Sequence, residues 1–283
     1  MHPSRKEPRL PAPLGGPHVL FGGSFILEFL QPAPELNASV LMRATYKGGH
    51  ELVKLGKKHP QAPPLHIHFA QSESFIVEAG AVGTTTTYDT IDTVHTTEGA
   101  HHQVVPRQGL SPPVPSRDAN GATAIPPRTP HNFWPVAPTH PFWSTPEGQE
   151  YERTLPNGRD SDTTVLIWAY PKVSNGSPTG TLVSDFPPDL DAAFFLALLG
   201  LVDALSSNRV AMTPSLFATL MAMQTESEMA MIVAPGAWWL GPLRWWVPSV
   251  GQSVLERLRK LLGGGHPVKL VEDIIHNVVL KRQ

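Results

Sequence analysis

Three imidazoles and one carboxylate set the chemistry this sequence can do. His66 and His68 stand two apart in Pro64-Leu65-His66-Ile67-His68-Phe69, with Glu73 close behind in Gln71-Ser72-Glu73. His131 follows about sixty residues later, in Pro126-Pro127-Arg128-Thr129-Pro130-His131. If residues 65–69 are a strand, the two rings of His66 and His68 leave the same face and aim at one point. The gap before Glu73 is long enough for a turn into the next strand, and His131 joins once a small antiparallel barrel brings distant strands together. Neutral imidazole nitrogen plus one hard carboxylate oxygen suits iron, manganese, nickel, copper or zinc, and affinity alone does not choose among them. Such a set leaves positions on an octahedral ion for water, dioxygen or a substrate oxygen, the layout of a reactive site rather than a closed structural one.

The spacing His66, His68, Glu73, Gly80 resembles the first motif of the cupin superfamily, which runs His-x-His, three or four residues, Glu, six residues, Gly. Pro126, Arg128 and His131 are similar to the core of the second motif, with arginine where glycine is usual. Pro60 and Pro135 stand where a glycine and an asparagine are expected. The resemblance covers roughly residues 18–172. It implies an antiparallel, jelly-roll-like β-barrel holding one divalent transition metal ion through His66, His68, Glu73 and His131, with Fe(II) the first choice and Mn, Ni or Zn as alternatives. Glu73 is then either a permanent ligand or a base that moves between metal and substrate. Arg128 is a candidate anion or carbonyl anchor, or an ordinary solvated arginine.

The elements that must position these groups are legible in the pattern of short β-branched and aromatic runs. Strands are expected over 18–30, 39–46, 51–55, 65–69, 73–79, 82–89, 95–97, 101–105, 123–125, 131–135 and 163–170, separated by turns such as Lys47-Gly48-Gly49. The 31 prolines argue against long helices in this part of the chain. Many short strands with frequent turns give a mainly β fold, not a parallel α/β sheet. Residues 108–121 read as a loop between the two motifs, and 138–162 as a second polar connection.

After Pro188 the pattern becomes helical. Residues 189–205 open with an acidic first turn, and Thr213-Pro214-Ser215 reads as an N-cap with proline at the first helical position, starting a helix through about residue 225. Residues 250–262 place Val254, Leu255, Leu258, Leu261 and Leu262 at spacings of three and four, with Glu256, Arg257, Arg259 and Lys260 on the other face. Residues 273–280 are a fourth candidate. The expected organisation is therefore a flexible arm over 1–17, the barrel over 18–172, a linker over 173–188 and a helical extension over 189–283. The uncharged run 229–243 is broken by Pro235, Gly236, Gly241 and Pro242 and falls short of the ~20 residues that span a bilayer. Its tryptophans either pack on the barrel or across a dimer seam, or seat residues 229–262 at a membrane interface.

Composition closes off other chemistries. A net charge of −2 over 283 residues gives no footprint for nucleic acid, and the absence of cysteine removes disulfides, thiolate ligands and cysteine nucleophiles. Neither a dinucleotide fingerprint nor a Gly-x-Ser-x-Gly elbow is present, so no NAD, no flavin and no serine nucleophile are expected. Residues 1–17 lack the apolar stretch of a secretory signal, which points to the cytoplasm, with membrane association left open. The tail, with Pro214-Ser215-Leu216-Phe217, a Trp/Gly/Pro segment and a basic helix, is similar to that of cupin proteins of fungal polyketide pathways. That similarity implies an oxidoreductase tailoring a small, apolar, oxygenated metabolite. A non-redox isomerase, dehydratase or cyclase and a non-catalytic binding barrel are the alternatives. A homodimer is expected, since exposed sheet edges need covering. His101, His102 and His140 are candidates for outer acid/base groups, and Tyr88 and Trp168 for cavity walls, with surface or core positions as the ordinary alternative for each.

Overall fold

The computed structural model describes residues 13–31, 38, 40–69, 71–86, 90–102, 116–117, 122–169, 192–234 and 237–280. Tyr88, the linker at 173–188 and most of the loop at 108–121 lie outside the described residues.

Alternation of apolar and polar residues in the first two-thirds of the chain builds two antiparallel sheets. The seven-stranded sheet runs β1 (Pro13–Leu20), β2 (Phe25–Leu30), β3 (Val40–Tyr46), β12 (Thr163–Ala169), β5 (Glu73–Ala79), β10 (Thr123–Ile125) and β9 (Ser116–Arg117). The six-stranded sheet runs β13 (Met229–Met231), β4 (His66–His68), β11 (His131–Pro135), β6 (Ala81–Thr86), β7 (Ile91–Thr96) and β8 (Gly99–His102). Inward residues of alternate positions, among them Phe25, Leu27, Phe29, Met42, Ala44, Phe75, Val77 and Val165, meet Val82 and Phe133 of the other sheet in one core. Among the described residues the strands form two facing sheets rather than one continuous hydrogen-bonded ring.

Local turn chemistry alters several expected boundaries. The run 18–30 is a hairpin, β1 and β2, broken at Phe21-Gly22-Gly23, where Phe21 and both glycines have positive φ. Its first strand starts at Pro13, inside the expected arm. The expected strand at 51–55 is instead a 3-10 segment, Val53–Lys58, because the His50 ring accepts the Leu52 N–H at 3.1 Å and turns the chain before a ladder can start. The connection 138–162 holds a helix, α1 (Pro146–Thr154), started by Thr145, whose hydroxyl accepts the Gly148 N–H at 3.0 Å with proline at the first position. Tyr151 of α1 donates its hydroxyl to the Gly80 carbonyl at 2.8 Å, tying this helix to the β5–β6 turn. That turn needs glycine: Gly80 has φ +67, and a Cβ there would lie 2.6 Å from the Asp162 carbonyl.

The tail forms α2 (Ala192–Ser206), α3 (Pro214–Glu226), α4 (Leu243–Leu261) and α5 (Pro267–Leu280). Thr213 caps α3 as expected, accepting the Leu216 N–H at 3.2 Å. Phe194, Ala197 and Leu201 of α2 pack with Leu216 and Met223 of α3 and Val271 of α5, while Phe195, Leu196, Leu199 and Val202 of α2 pack against the core between the sheets. The tail therefore caps the sheets rather than forming a separate body. α4 is turned unexpectedly: Arg244, Gln252 and Glu256 are buried, and Val254, Leu258, Leu261 and Leu262 face outward.

One buried histidine of the core has a measurable consequence. His59 accepts the Gln61 N–H on Nδ1 at 3.1 Å, so its Nε2–H is the donor toward Ser24 Oγ, 3.0 Å away. Burial, with the neighbouring His50 adding to it, depresses its pKa to about 4. Since the unfolded chain takes up this proton near pH ~6.5, stability from this residue is complete above that pH. It falls as the pH drops toward 4, by about 1.4 kcal/mol per unit. Urea unfolding at pH 7, 5.5 and 4.5 is expected to show a shallower pH dependence in His59→Gln than in the parent; identical slopes would remove His59 as a cause.

Candidate metal centre

The site is built across the two sheets. β4 lies between β13 and β11, so His66 is register partner to His131 on one side and Met231 on the other, and His68 to Met229. Period-two alternation sends both β4 rings inward, where the ring centroids are 5.1 Å apart, with His131 at 4.5 Å from His66 and 5.4 Å from His68. Glu73 arrives from the opposite sheet, at the start of β5, where it pairs with Ile125 and Ala169. One ligand atom from each of His66, His68, Glu73 and His131 falls within 4.8 Å of the others. The sequence-expected set is thus brought together in full.

The chemistry of these atoms fits a cation. His66 Nδ1 lies 3.0 Å from the Pro64 carbonyl and His131 Nδ1 2.8 Å from the Thr129 carbonyl. A carbonyl accepts, so each Nδ1 carries the proton and each Nε2 turns a lone pair inward in the neutral ring. His131 Nε2 sits 2.6 Å from Glu73 Oε2, and His68 Nε2 is 3.8 Å from the same oxygen. Two acceptors at such a separation repel unless a positive charge is shared between them. Burial holds the His66 and His68 rings neutral, His66 well below its ordinary pKa and His68 at about 4, in spite of the attraction of Glu73. For Glu73 burial works against ionisation, but the close contact with His131 and the three nearby imidazoles outweigh it and hold the carboxyl at about 2. Neutral imidazoles and an ionised carboxylate are the protonation states a divalent transition metal ion requires.

A cavity of about 140 Å³ opens from His66, His68 and Glu73 between the sheets. Phe25, Leu27, Met42, Val82, Phe133, Val165 and Ile167 wall it, and α2 closes it with Phe194, Phe195, Leu198 and Leu199. Polar groups within it beyond the His/Glu cluster are few: Gln71, and Tyr46 with Gln61, where the Tyr46 hydroxyl donates to the Gln61 side-chain oxygen. Burial raises the Tyr46 pKa, so the phenol stays protonated and keeps its hydrogen bond to Gln61. Sequence reasoning missed Tyr46, Gln61 and the α2 residues. Tyr46 reads as an ordinary strand aromatic, and nothing in the α2 sequence says which face meets the sheets.

The other expected candidates take structural places. Arg128 is exposed on the turn before β11, outside the cavity lining, and its backbone N–H donates to the His68 carbonyl at 2.7 Å. Its φ of +62 explains why glycine is usual in the resembling motif. Arg128→Gly is expected to relieve about 1 kcal/mol of left-handed strain and to raise the melting temperature by roughly 2–4 °C, with metal content and turnover unchanged. A fall in turnover would restore the arginine side chain as a substrate anchor. His101 packs on Phe142 with centroids 5.2 Å apart, and His140 accepts the Phe142 N–H at 3.3 Å beside Trp134. Neither lines the cavity. His102 lies on β8, across from Thr93. Trp168 is wholly buried with Leu30, Leu41 and Ala122 in a separate cluster.

No protein-family model matches this sequence, and no curated protein matches it. Among solved structures, the capsular polysaccharide assembling protein CapF from Staphylococcus aureus is 11% identical over 54% of this chain and 28% of its own, with a TM-score of 0.28. A cupin-superfamily sugar phosphate isomerase from Silicibacter pomeroyi is 15% identical over 51% of this chain and 59% of its own, at 0.22. The polyketide cyclase RemF from Streptomyces resistomycificus is 15% identical over 57% of this chain and 68% of its own, at 0.23. This chain thus spans well under a third of CapF. At TM-scores this low the likeness says nothing about activity. The fold is cupin-like on the chain's own terms: two facing antiparallel sheets that enclose a three-histidine, one-glutamate cluster.

Proposed function

We propose that this protein is a metal-dependent enzyme, an oxidoreductase acting on a small, apolar, oxygenated metabolite of polyketide type. The observation that carries the proposal is the opening of the His66–His68–Glu73–His131 cluster into a cavity whose walls are otherwise almost entirely apolar. An ion held there by three imidazoles and one carboxylate would supply redox exchange with dioxygen if it is iron, or Lewis-acid polarisation of a carbonyl if it is zinc or nickel.

The protein's own residues do the rest. The apolar walls and the α2 side chains exclude water and select a hydrophobic body, which strengthens every polar contact made inside. His66 and His131 are held in one tautomer by backbone carbonyls, so their inward nitrogens need no reorganisation. Glu73, ionised and 2.6 Å from His131 Nε2, is in place to take a proton from an acidic C–H or O–H presented beside it. The Tyr46 hydroxyl oxygen, its proton given to Gln61, can accept a hydrogen bond from a hydroxyl on the same ligand.

The deciding experiment is elemental analysis of protein purified without added metal or chelator, followed by oxygen uptake with a panel of catechols, enols and aryl aldehydes. Near-stoichiometric iron with substrate-dependent oxygen uptake supports the proposal. Zinc, nickel or manganese with turnover but no oxygen uptake replaces it with a non-redox isomerase, dehydratase or cyclase. Ligand binding with neither metal nor turnover leaves a binding protein.

A further inference from the structure

An apolar stripe runs the whole length of the outward face of α4. Leu243, Trp246, Val250, Val254, Leu258 and Leu261 recur at intervals of three and four, and all are exposed, Trp246 at 62% and Leu261 at 82%. Trp239, just before the helix, is 71% exposed on the same segment. Of the fifteen large hydrophobic residues exposed among the described residues, ten lie between Val233 and Leu262. Chance exposure on a soluble surface is scattered, so a stripe this concentrated marks a contact face. A nineteen-residue helix lies flat for about 28 Å, and among the described residues no helix is long and apolar enough to cross a membrane.

Charge decides between occupants. Arg257 stands within the stripe and Lys260 beside it, both exposed. The single carboxylate of α4, Glu256, is buried and paired with Arg259 and Lys260, so the outward face carries cations and no acid. A second copy of this chain would bring the same cations against the stripe and nothing to neutralise Arg257. An anionic lipid surface supplies both a medium for the leucines and tryptophans and a counter-charge for the arginine and lysine. We propose that α4 is an interfacial helix that seats the protein on an anionic bilayer surface. The seat is close to the candidate metal centre: Val233 donates its N–H to the Arg244 carbonyl at 2.9 Å, and β13, just before it, pairs with the strand carrying His66 and His68.

The test is co-sedimentation of the full chain with phosphatidylcholine vesicles and with phosphatidylcholine vesicles enriched in phosphatidylserine, in low and high salt. Binding to the anionic vesicles, weakened at high salt, with a blue shift of tryptophan emission, is the expected result. Arg257→Glu should weaken the partition at least about tenfold, and Trp246→Asp with Leu258→Asp should abolish it, circular dichroism remaining that of the parent. Absent binding, or binding indifferent to lipid charge and to Arg257→Glu, overturns the proposal. A concentration-dependent dimer that is dispersed by Leu258→Asp in the absence of vesicle binding overturns it in favour of a second copy.

Discussion

Alanine at His66, His68 or His131 is expected to strip the protein of its metal and of turnover together. The three rings are buried and converge with Glu73 on one volume, so each removal deletes a ligand that no neighbour replaces. Groups that merely orient a ligand are worth ~10–100-fold in metal affinity, so loss of a ligand itself should exceed about a hundredfold. His140→Asn and His101→Ala, outside the cavity, serve as matched controls and should keep full metal content. Glu73 separates the two roles open to it. If Glu73→Gln lowers metal content, the carboxylate is a ligand; if metal stays and turnover falls, it is a base. Full metal content in all three alanine variants would sink the four-residue assignment.

Removal of the tail should be nearly as damaging. Phe194, Phe195, Leu198 and Leu199 of α2 close the cavity, and a large apolar side chain of this kind contributes roughly 1.5–3 kcal/mol when fully buried. Phe194 is fully buried and the other three partly so, and together they supply a sizeable share of the ~5–15 kcal/mol that holds a whole domain folded. Truncation after Pro188 also deletes β13 and leaves β4 with an unpaired edge. The shortened chain is expected to aggregate or to lose its cooperative melting transition, and to retain no metal. The milder Leu199→Asp should lower stability while leaving the β13–β4 pairing intact. A soluble, monomeric, metal-loaded product of residues 1–188 would show that the tail takes no part in the site.

The ligand set was legible because it depends on local spacing. Two histidines on alternate strand positions must share a face, and His131 was joined to them by the resemblance of its segment to the second cupin motif. The strands that carry them, 65–69, 73–79 and 131–135, were legible for the same reason, as alternating β-branched and aromatic runs. The helix at 146–154 was not, although Thr145-Pro146 is the same cap signal that announced α3, because the surrounding proline and glycine outweighed a single nine-residue segment. The cavity roof and the Tyr46–Gln61 pair were illegible in principle, since they depend on how α2 lies against the sheets. The orientation of α4 was misleading in a different way. Its leucine spacing marks an amphipathic helix, but which face turns inward is set by the buried ion pair between Glu256 and Arg259 and by contact with α3, not by the period.

The pairing of β13 with β4 carries a consequence for how the chain acquires its fold. The ladder partners His66–Met231 and His68–Met229 are separated by about 160 residues of chain, so this edge cannot form until most of the polypeptide has left the ribosome. Contacts this distant in sequence slow folding, because loop closure must precede any reward from pairing. Until then the histidine strand is flanked on one side only, and a metal ion arriving early meets an incomplete wall. An ion bound by His66 and His68 would therefore meet its finished wall only late in biosynthesis, after the tail has closed the sheet.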